Sequence, residues 1–349
     1  MLNQRAIKLL QDLIEIESFS KNESGTAKRL EKWFKDSNIP FQRKENNLWA
    51  VNKSFDPKKP TLLLNSHHDT VLPNKAYTRD PFKADILDDK LYGLGSNDAG
   101  GALVSLLACF NYFFEKPNLK YNLLMVASAE EETAGDKSLR YLIPYLPKID
   151  FAIIGEPTQM ELAIAEKGLV VFDIEIKGTP SHAAHPNKDN PLMKLPEIIK
   201  KIDNISFEKV SPILGPVKLT LTQINAGSQH NVVPSEVKLV LDVRVNECYQ
   251  NHEIDEVIQK ALPCNVKARS LHLKSSSISV DHPIVKAGEK LGRKTYGSPT
   301  LSDQASLSCP SLKLGPGDST RSHSADEFIY IKEIEEGISI YINLLKQII

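Results

Sequence analysis

Carboxylates and imidazoles gather in this sequence where apolar, strand-like runs stop. TLLLNS (61–66) runs into His67-His68-Asp69, NLLMVAS (122–128) into Glu130-Glu131-Glu132, and FAIIG (151–155) into Glu156. Asp98 lies in GLGSNDAGGA, just ahead of an apolar helical stretch, and His323 lies in GPGDSTRSHSADEF. In open α/β sheets, sites form outside the carboxyl ends of the strands, so these clusters are expected to converge. Buried acids without partners repel one another and shift their pKa values strongly. A pair of divalent cations removes that penalty. Histidine and carboxylate donors without cysteine suit Zn²⁺, Co²⁺ or Mn²⁺ in a hydrolytic role. A bridging carboxylate would hold two such ions about 3.5–4 Å apart around a shared water. One further carboxylate must stay free to take that water's proton, and Glu131-Glu132 could supply a base and a ligand from adjacent positions.

Each cluster alone has a plainer reading. A His-His-Asp after a strand is an ordinary loop in most proteins. Three consecutive acids are usually a solvated turn or a helix start favoured by the macrodipole. Gly155-Glu156-Pro157 is a turn. GLGSNDAGGA has neither the GKS/T of a phosphate loop nor GxGxxG spacing. What carries weight is the set, in order, at strand ends.

The elements that must position these residues are legible too. With 349 residues, at about 150 per domain, two domains are expected. The short apolar runs read as central strands of a mostly parallel sheet, and GGALVSLLACFNYFF between two of them as a buried helix, hence α/β with right-handed crossovers. Helical spacing marks the N-terminal segment, and Ser24 or Thr26 is the expected cap of a second helix. Near Lys167–Gly168 the pattern changes to strict alternation, as in LVVFDIEIKG, VKLTLTQI and EVKLVLDVRV. With helical patterns between them and NVKARSLHL last, the order is the split βαβ of ferredoxin-like folds. The expectation is a discontinuous catalytic domain, 1–169 and 274–349, interrupted by an inserted α+β domain at 170–273.

Composition excludes other classes. Lys+Arg 43 against Asp+Glu 44 rules out a broadly basic nucleic-acid binder, and no aromatic–basic platform is visible. The N-terminus has no uninterrupted apolar signal core, and the most apolar stretch is shorter than the ~18 residues of a membrane span. Cys109, Cys248, Cys264 and Cys309 form no CxxC pair and read as reduced thiols, so a cytoplasmic enzyme is expected.

Together these motifs resemble the dinuclear-zinc M20 peptidase and deacylase family, over nearly the whole chain. The resemblance implies that His67 in SHHDTV ligates one metal while Asp69 accepts its ring N–H. It implies Asp98 as the bridge, Glu131 as general base, Glu132 as ligand, Glu156 on the first metal and His323 on the second. The family often has a Lys in the stretch here occupied by Ala99-Gly100-Gly101. Its acidic motif commonly reads Asp-Glu-Glu, so Glu130 takes the Asp place; a register slip would make Glu130 the base and Glu131 the ligand.

In the inserted domain, GTPSHAAHP matches the family's Gly-x-x-x-His-Ala segment, which implies that His182 steadies the oxyanion, often across a dimer. Asn231 in NVVP and Arg244 in DVR are implied contacts for a substrate carboxylate, against plainer readings as a turn cap and an exposed strand residue. The backbone around Gly315–Gly317 is a further pocket candidate. His68, His185, His230, His252, His272 and His282 are read as ordinary. The resemblance is greatest to N-acyl-ornithine deacylases of arginine biosynthesis, implying a homodimeric amide hydrolase that removes an acetyl or succinyl group from ornithine or citrulline. Alternatives are a di- or aminopeptidase, a lysine-pathway deacylase or, in another class, a catalytically silent metal-binding scaffold.

Overall fold

The three apolar runs form strands Thr61–His67, Asn122–Ser128 and Phe151–Ile154 in the computed structural model, which describes residues 2–349. Every residue in them is buried. Leu62, Leu64, Leu123 and Met125 join one core with helices Leu2–Ile14, Gly101–Phe113 and Ile331–Lys346. Their neighbours Leu63, Leu124 and Val126 face a second core with Leu139 and Leu142. Strands covered on both faces have no solvent side, which is why the sequence here does not alternate.

Thr61–His67 is central, lying parallel to both Asn122–Ser128 and Phe151–Ile154, and Ser311–Lys313 continues in parallel beside the latter. Antiparallel strands flank this parallel middle: Asn47–Val51 and Gln42–Lys44 on one side, Leu162–Glu166 on the other. The fold is thus α/β with a mixed sheet, mostly parallel where it is deepest. A smaller sheet of Phe328–Tyr330, Lys90–Tyr92 and Ile86–Leu87 lies apart from it.

The alternating segment forms a four-stranded antiparallel sheet in the order Lys218–Ala226, Glu236–Val245, Gly168–Lys177, Asn265–Ala268. With helices Pro191–Asp203 and Asn251–Ala261, this is the ferredoxin-like arrangement. Val170, Phe172, Ile174 and Ile176 are buried and the residues between them are not. A bulge between Leu221 and Gln223 shifts the register so that Leu219, Leu221 and Ile224 lie opposite Val243, Leu241 and Leu239; Leu219 and Leu221 pack on the core, while Ile224 is exposed.

The chain packs as two compact units: residues through Ile164 with Ser277–Tyr296 and Ser302–Ile349, and Ala165–Ser276 with Gly297–Leu301. Two local expectations are corrected. Helix Ser24–Asp36 has Glu23 at its N-cap position, with no side-chain cap, rather than Ser24 or Thr26; Thr26 Oγ1 donates to the Glu23 carbonyl at 3.0 Å. The last strand of the second unit ends at Ala268, well short of the NVKARSLHL run. All four cysteines are free. Among the described residues, no helix is long and apolar enough to cross a membrane.

Candidate metal centre

Parallel strands end on one side of their sheet, and three of them deliver side chains there. His67 closes its strand, Glu131 and Glu132 follow Ser128, and Glu156 follows Ile154. His67 is buried, with Nε2 facing Asp98 Oδ1 at 3.3 Å and Glu156 Oε1 at 4.0 Å. The exposed His323 places Nε2 3.0 Å from Glu132 Oε2 and 3.6 Å from Asp98 Oδ2. Asp98 therefore turns one oxygen to each imidazole. Donor atoms of His67, Glu131 and Glu156 lie within 4.8 Å of one another, and so do those of His67, Asp98 and Glu132.

Asp69 acts through both its backbone and its carboxylate. The nearest acceptor to His67 Nδ1 is the Asp69 carbonyl at 3.0 Å, with the carboxylate at 3.4 Å. That carboxylate accepts the Glu131 and Glu132 N–H groups at 3.1 and 3.2 Å and the Ser20 hydroxyl at 2.6 Å, which fixes the acidic loop. Glu130 turns away: at φ 55° its side chain accepts the Lys137 N–H at 3.1 Å, and a Cβ at Gly135 would overlap its carboxylate. His68 lies between Thr26 Oγ1 and the Asn46 carbonyl, each 2.9 Å away, and His282 caps helix Pro283–Lys290.

The electrostatics are those of crowded acids. Burial first, then Asp98, pushes the Glu156 carboxyl up to about 8. Burial, reinforced by Glu156, Asp303 and Glu132, holds Glu131 well above its ordinary range. Glu132 is raised by burial and by Asp98, although His323 pulls it back. Burial also acts upward on Asp98, but His67, Ser322 and His323 outweigh it and bring that carboxyl below its usual value. The Glu132 carboxylate raises His323 to about 9. Such a donor set, oxygen and imidazole nitrogen with surplus negative charge, fits divalent cations.

Two acids that sequence reasoning missed brace this centre. Glu327 is buried and accepts N–H groups from Gly95, Asn97 and Asp98 at 3.2, 2.9 and 2.9 Å. Asp303 Oδ2 accepts the Ser128 hydroxyl at 2.6 Å and the Asn65 amide at 2.9 Å, tying two strand ends together. Asn65 was the available signal: an amide inside an all-buried strand needs a partner.

The remaining candidates are placed differently. Gly317, at φ 95°, closes against Asn97 and donates no side chain; its carbonyl accepts the Gln159 N–H at 2.7 Å, so the turn supports the loop that carries Glu156. His182, Asn231 and Arg244 belong to the second unit. His182 and Asn231 adjoin there, since His182 pairs with Val232 and the Ala183 N–H donates to the Asn231 carbonyl at 2.9 Å. Both are exposed. Arg244 sits near the opposite end of strand Glu236–Val245, its fork on Asp242 at 2.8 and 3.1 Å.

Buried imidazole and clustered acids at the carboxyl ends of parallel strands make a site that could hold divalent metal ions. The model of peptidase family M20/M25/M40 matches residues 63–347. The chain belongs to that family, and so to the metallohydrolases that act on amide bonds. It is 27% identical to a [LysW]-lysine/[LysW]-ornithine hydrolase of Saccharolobus solfataricus, over 100% of this chain and 97% of the relative. It is 29% identical to an acetylornithine deacetylase of Buchnera aphidicola, over 88% and 85%. Its fold matches an M20-family metallo-carboxypeptidase from Sulfolobus solfataricus at TM-score 0.80, with 17% identity over 98% of each chain.

Proposed function

We propose that this enzyme removes an N-acyl group, acetyl or succinyl, from an amino acid such as ornithine or citrulline, as in arginine biosynthesis. The observation that carries the reading is the meeting of His67, Asp98, Glu132, Glu156 and His323 around the raised carboxyl of Glu131. His67, Asp98 and Glu156 would hold one divalent ion, Zn²⁺ or Co²⁺, and Asp98, Glu132 and His323 a second. When bound, the ions supply Lewis-acid polarisation of the acyl oxygen and ease ionisation of water.

The chain's own residues do the rest. Glu131 accepts a proton from the attacking water and returns it to the departing amine nitrogen. Its backbone N–H is anchored on Asp69, and its carboxylate lies with His67 and Glu156. Glu130, engaged with Lys137, is not available for that role, which supports Glu131-Glu132 as the base–ligand pair. His182 is the candidate oxyanion donor, and Asn231, Arg244 and the Gly317 backbone are candidate substrate contacts. Segment 170–273 would form the lid and dimer contact; the outer edge of strand Lys218–Ala226, with Ile224 exposed, suits such pairing.

Relatives named for ornithine and for lysine make the lysine-pathway deacylase the second reading. The test is release of free amine from acetylornithine, acetylcitrulline, succinylornithine and a dipeptide panel with added Zn²⁺ or Co²⁺. Preference for an acyl-ornithine or acyl-citrulline supports the proposal, whereas cleavage of dipeptides alone overturns it. A metal content near zero with no hydrolysis anywhere in the panel would revive the silent scaffold.

A further inference from the structure

We infer that Glu327 is a positioning residue that couples the Asp98 turn to the His323 segment, so that the second cation site forms as one unit. The inference rests on the two-cation reading above. Asp98 sits in the short turn Ser96–Gly100 with φ −117° and ψ 97°, so its N–H cannot join a helical ladder. Buried N–H groups of this kind need acceptors from elsewhere. Glu327 supplies them: Oε1 takes the Asn97 and Asp98 N–H groups, each at 2.9 Å, and Oε2 takes Gly95 at 3.2 Å. The Glu327 carbonyl also accepts the Gly93 N–H at 3.0 Å.

The same segment carries His323. Strand Phe328–Tyr330 pairs with Lys90–Tyr92, which leads directly into the Asp98 turn. Asn97 bonds to the Asp318 carbonyl and, at 3.4 Å, to the Ser322 hydroxyl beside His323. Next to Glu327, Asp326 accepts N–H groups of Thr78 and Arg79, both at 2.9 Å, and Asn74 of that loop donates to the His323 carbonyl at 3.1 Å. Glu327 is thus the buried join between the backbone of Asp98 and the loop of His323. A carboxylate is required because the three donors approach both oxygens; a glutamine would turn its own NH₂ toward one of them.

The consequence is asymmetric. The first site shares Asp98 but takes its other ligands, His67 and Glu156, from strand ends that do not depend on Glu327. The second draws Asp98 and His323 from the two segments that Glu327 joins. The metal-free protein, wild type and variant, is titrated with Co²⁺ alone, followed by calorimetry and by the visible Co²⁺ spectrum. Wild type is expected to take two equivalents in separable steps. Glu327→Ala should weaken the second step about tenfold or more while moving the first far less, as expected when a residue supporting metal ligands is lost. Glu327→Gln, which keeps one acceptor oxygen, should fall between and decides the matter if the alanine variant does not fold. Equal weakening of both steps, or of neither, overturns the inference and leaves the two-cation reading intact. Wild type taking up fewer than two equivalents overturns that reading, and the inference with it.

Discussion

The two units treat their polar residues in opposite ways. In the first, buried acids are held by fixed donors: Asp69 by the Glu131 and Glu132 N–H groups, Glu327 by three backbone N–H groups, and Asp303 by the Ser128 hydroxyl and the Asn65 side-chain amide. In the second, His182 and Asn231 lie exposed on a two-residue pairing, and Arg244 leans on its own strand neighbour. A cage for cations must be rigid before they arrive, because reorganising charged groups during reaction costs rate. Groups that only meet a substrate can take their final position from it. The contrast predicts that substitutions in the first unit act on chemistry and metal content, and those in the second on turnover or affinity alone.

The largest effect should come from Glu131→Ala. Loss of a positioned base costs roughly 10²–10⁴ in rate, so kcat should fall by orders of magnitude while metal content stays at the wild-type value. Retained activity would mean that the base is another residue. His182→Ala should cost about 10²–10³ in kcat if it is an oxyanion donor, again with metal content unchanged. Mixing Glu131→Ala with His182→Ala chains tests whether the second unit serves a partner's site. Recovered activity is expected, and none would argue against action in trans.

Chelation probes the first unit by itself. Glu156, raised to about 8, and Glu131 and Glu132, also raised, keep protons in the folded chain that the unfolded chain releases. His67, raised against the pull of burial by Asp69 and Asp98, acts in the same sense. The folded state therefore binds more protons between about pH 5 and 8, and the stability of the metal-free chain falls as pH rises through that window. Asp69 and Asp98 are held low and act oppositely only below about pH 4, whereas buried His68, lowered to about 4, offsets part of the effect below about pH 6.5 without outweighing the raised groups. The Tm lost on chelation should be several degrees larger at pH 8 than at pH 5. An equal loss at both would mean that the acids are not crowded as the geometry places them.

Much of the candidate site's convergence was legible because imidazoles and carboxylates recur as a set at the ends of unmistakably apolar strands. Its braces were not. Glu327 reads in SADEF as a solvated acid, and only the turn that leaves the Asp98 N–H unpaired gives it a task. Asp303 in LSDQ looks like a helix start, and its burial depends on Asn65 and Ser128, far away in the chain. The orientation of Glu130 hangs on a positive φ and on the space left by Gly135, neither visible in a run of three acids. The antiparallel flanks were missed because short mixed strands such as Gln42–Lys44 carry no strong period.

The smallest effect concerns Arg244. On strand Glu236–Val245 it shares a face with Asp242, opposite the buried Leu241 and Val243, and Asp242 engages Nε and one terminal nitrogen. A guanidinium has five N–H donors, so donors remain for a substrate carboxylate, but the ligand must share the charge with Asp242. Arg244→Met should therefore raise KM by no more than about tenfold, roughly 1.4 kcal/mol, with kcat and Tm near wild type. Asp242→Asn, which frees the fork, should lower KM if Arg244 does meet the substrate. If both variants leave KM unmoved, Arg244 and Asp242 are only a strand-surface pair. The second unit's contribution would then rest on the His182–Asn231 edge alone.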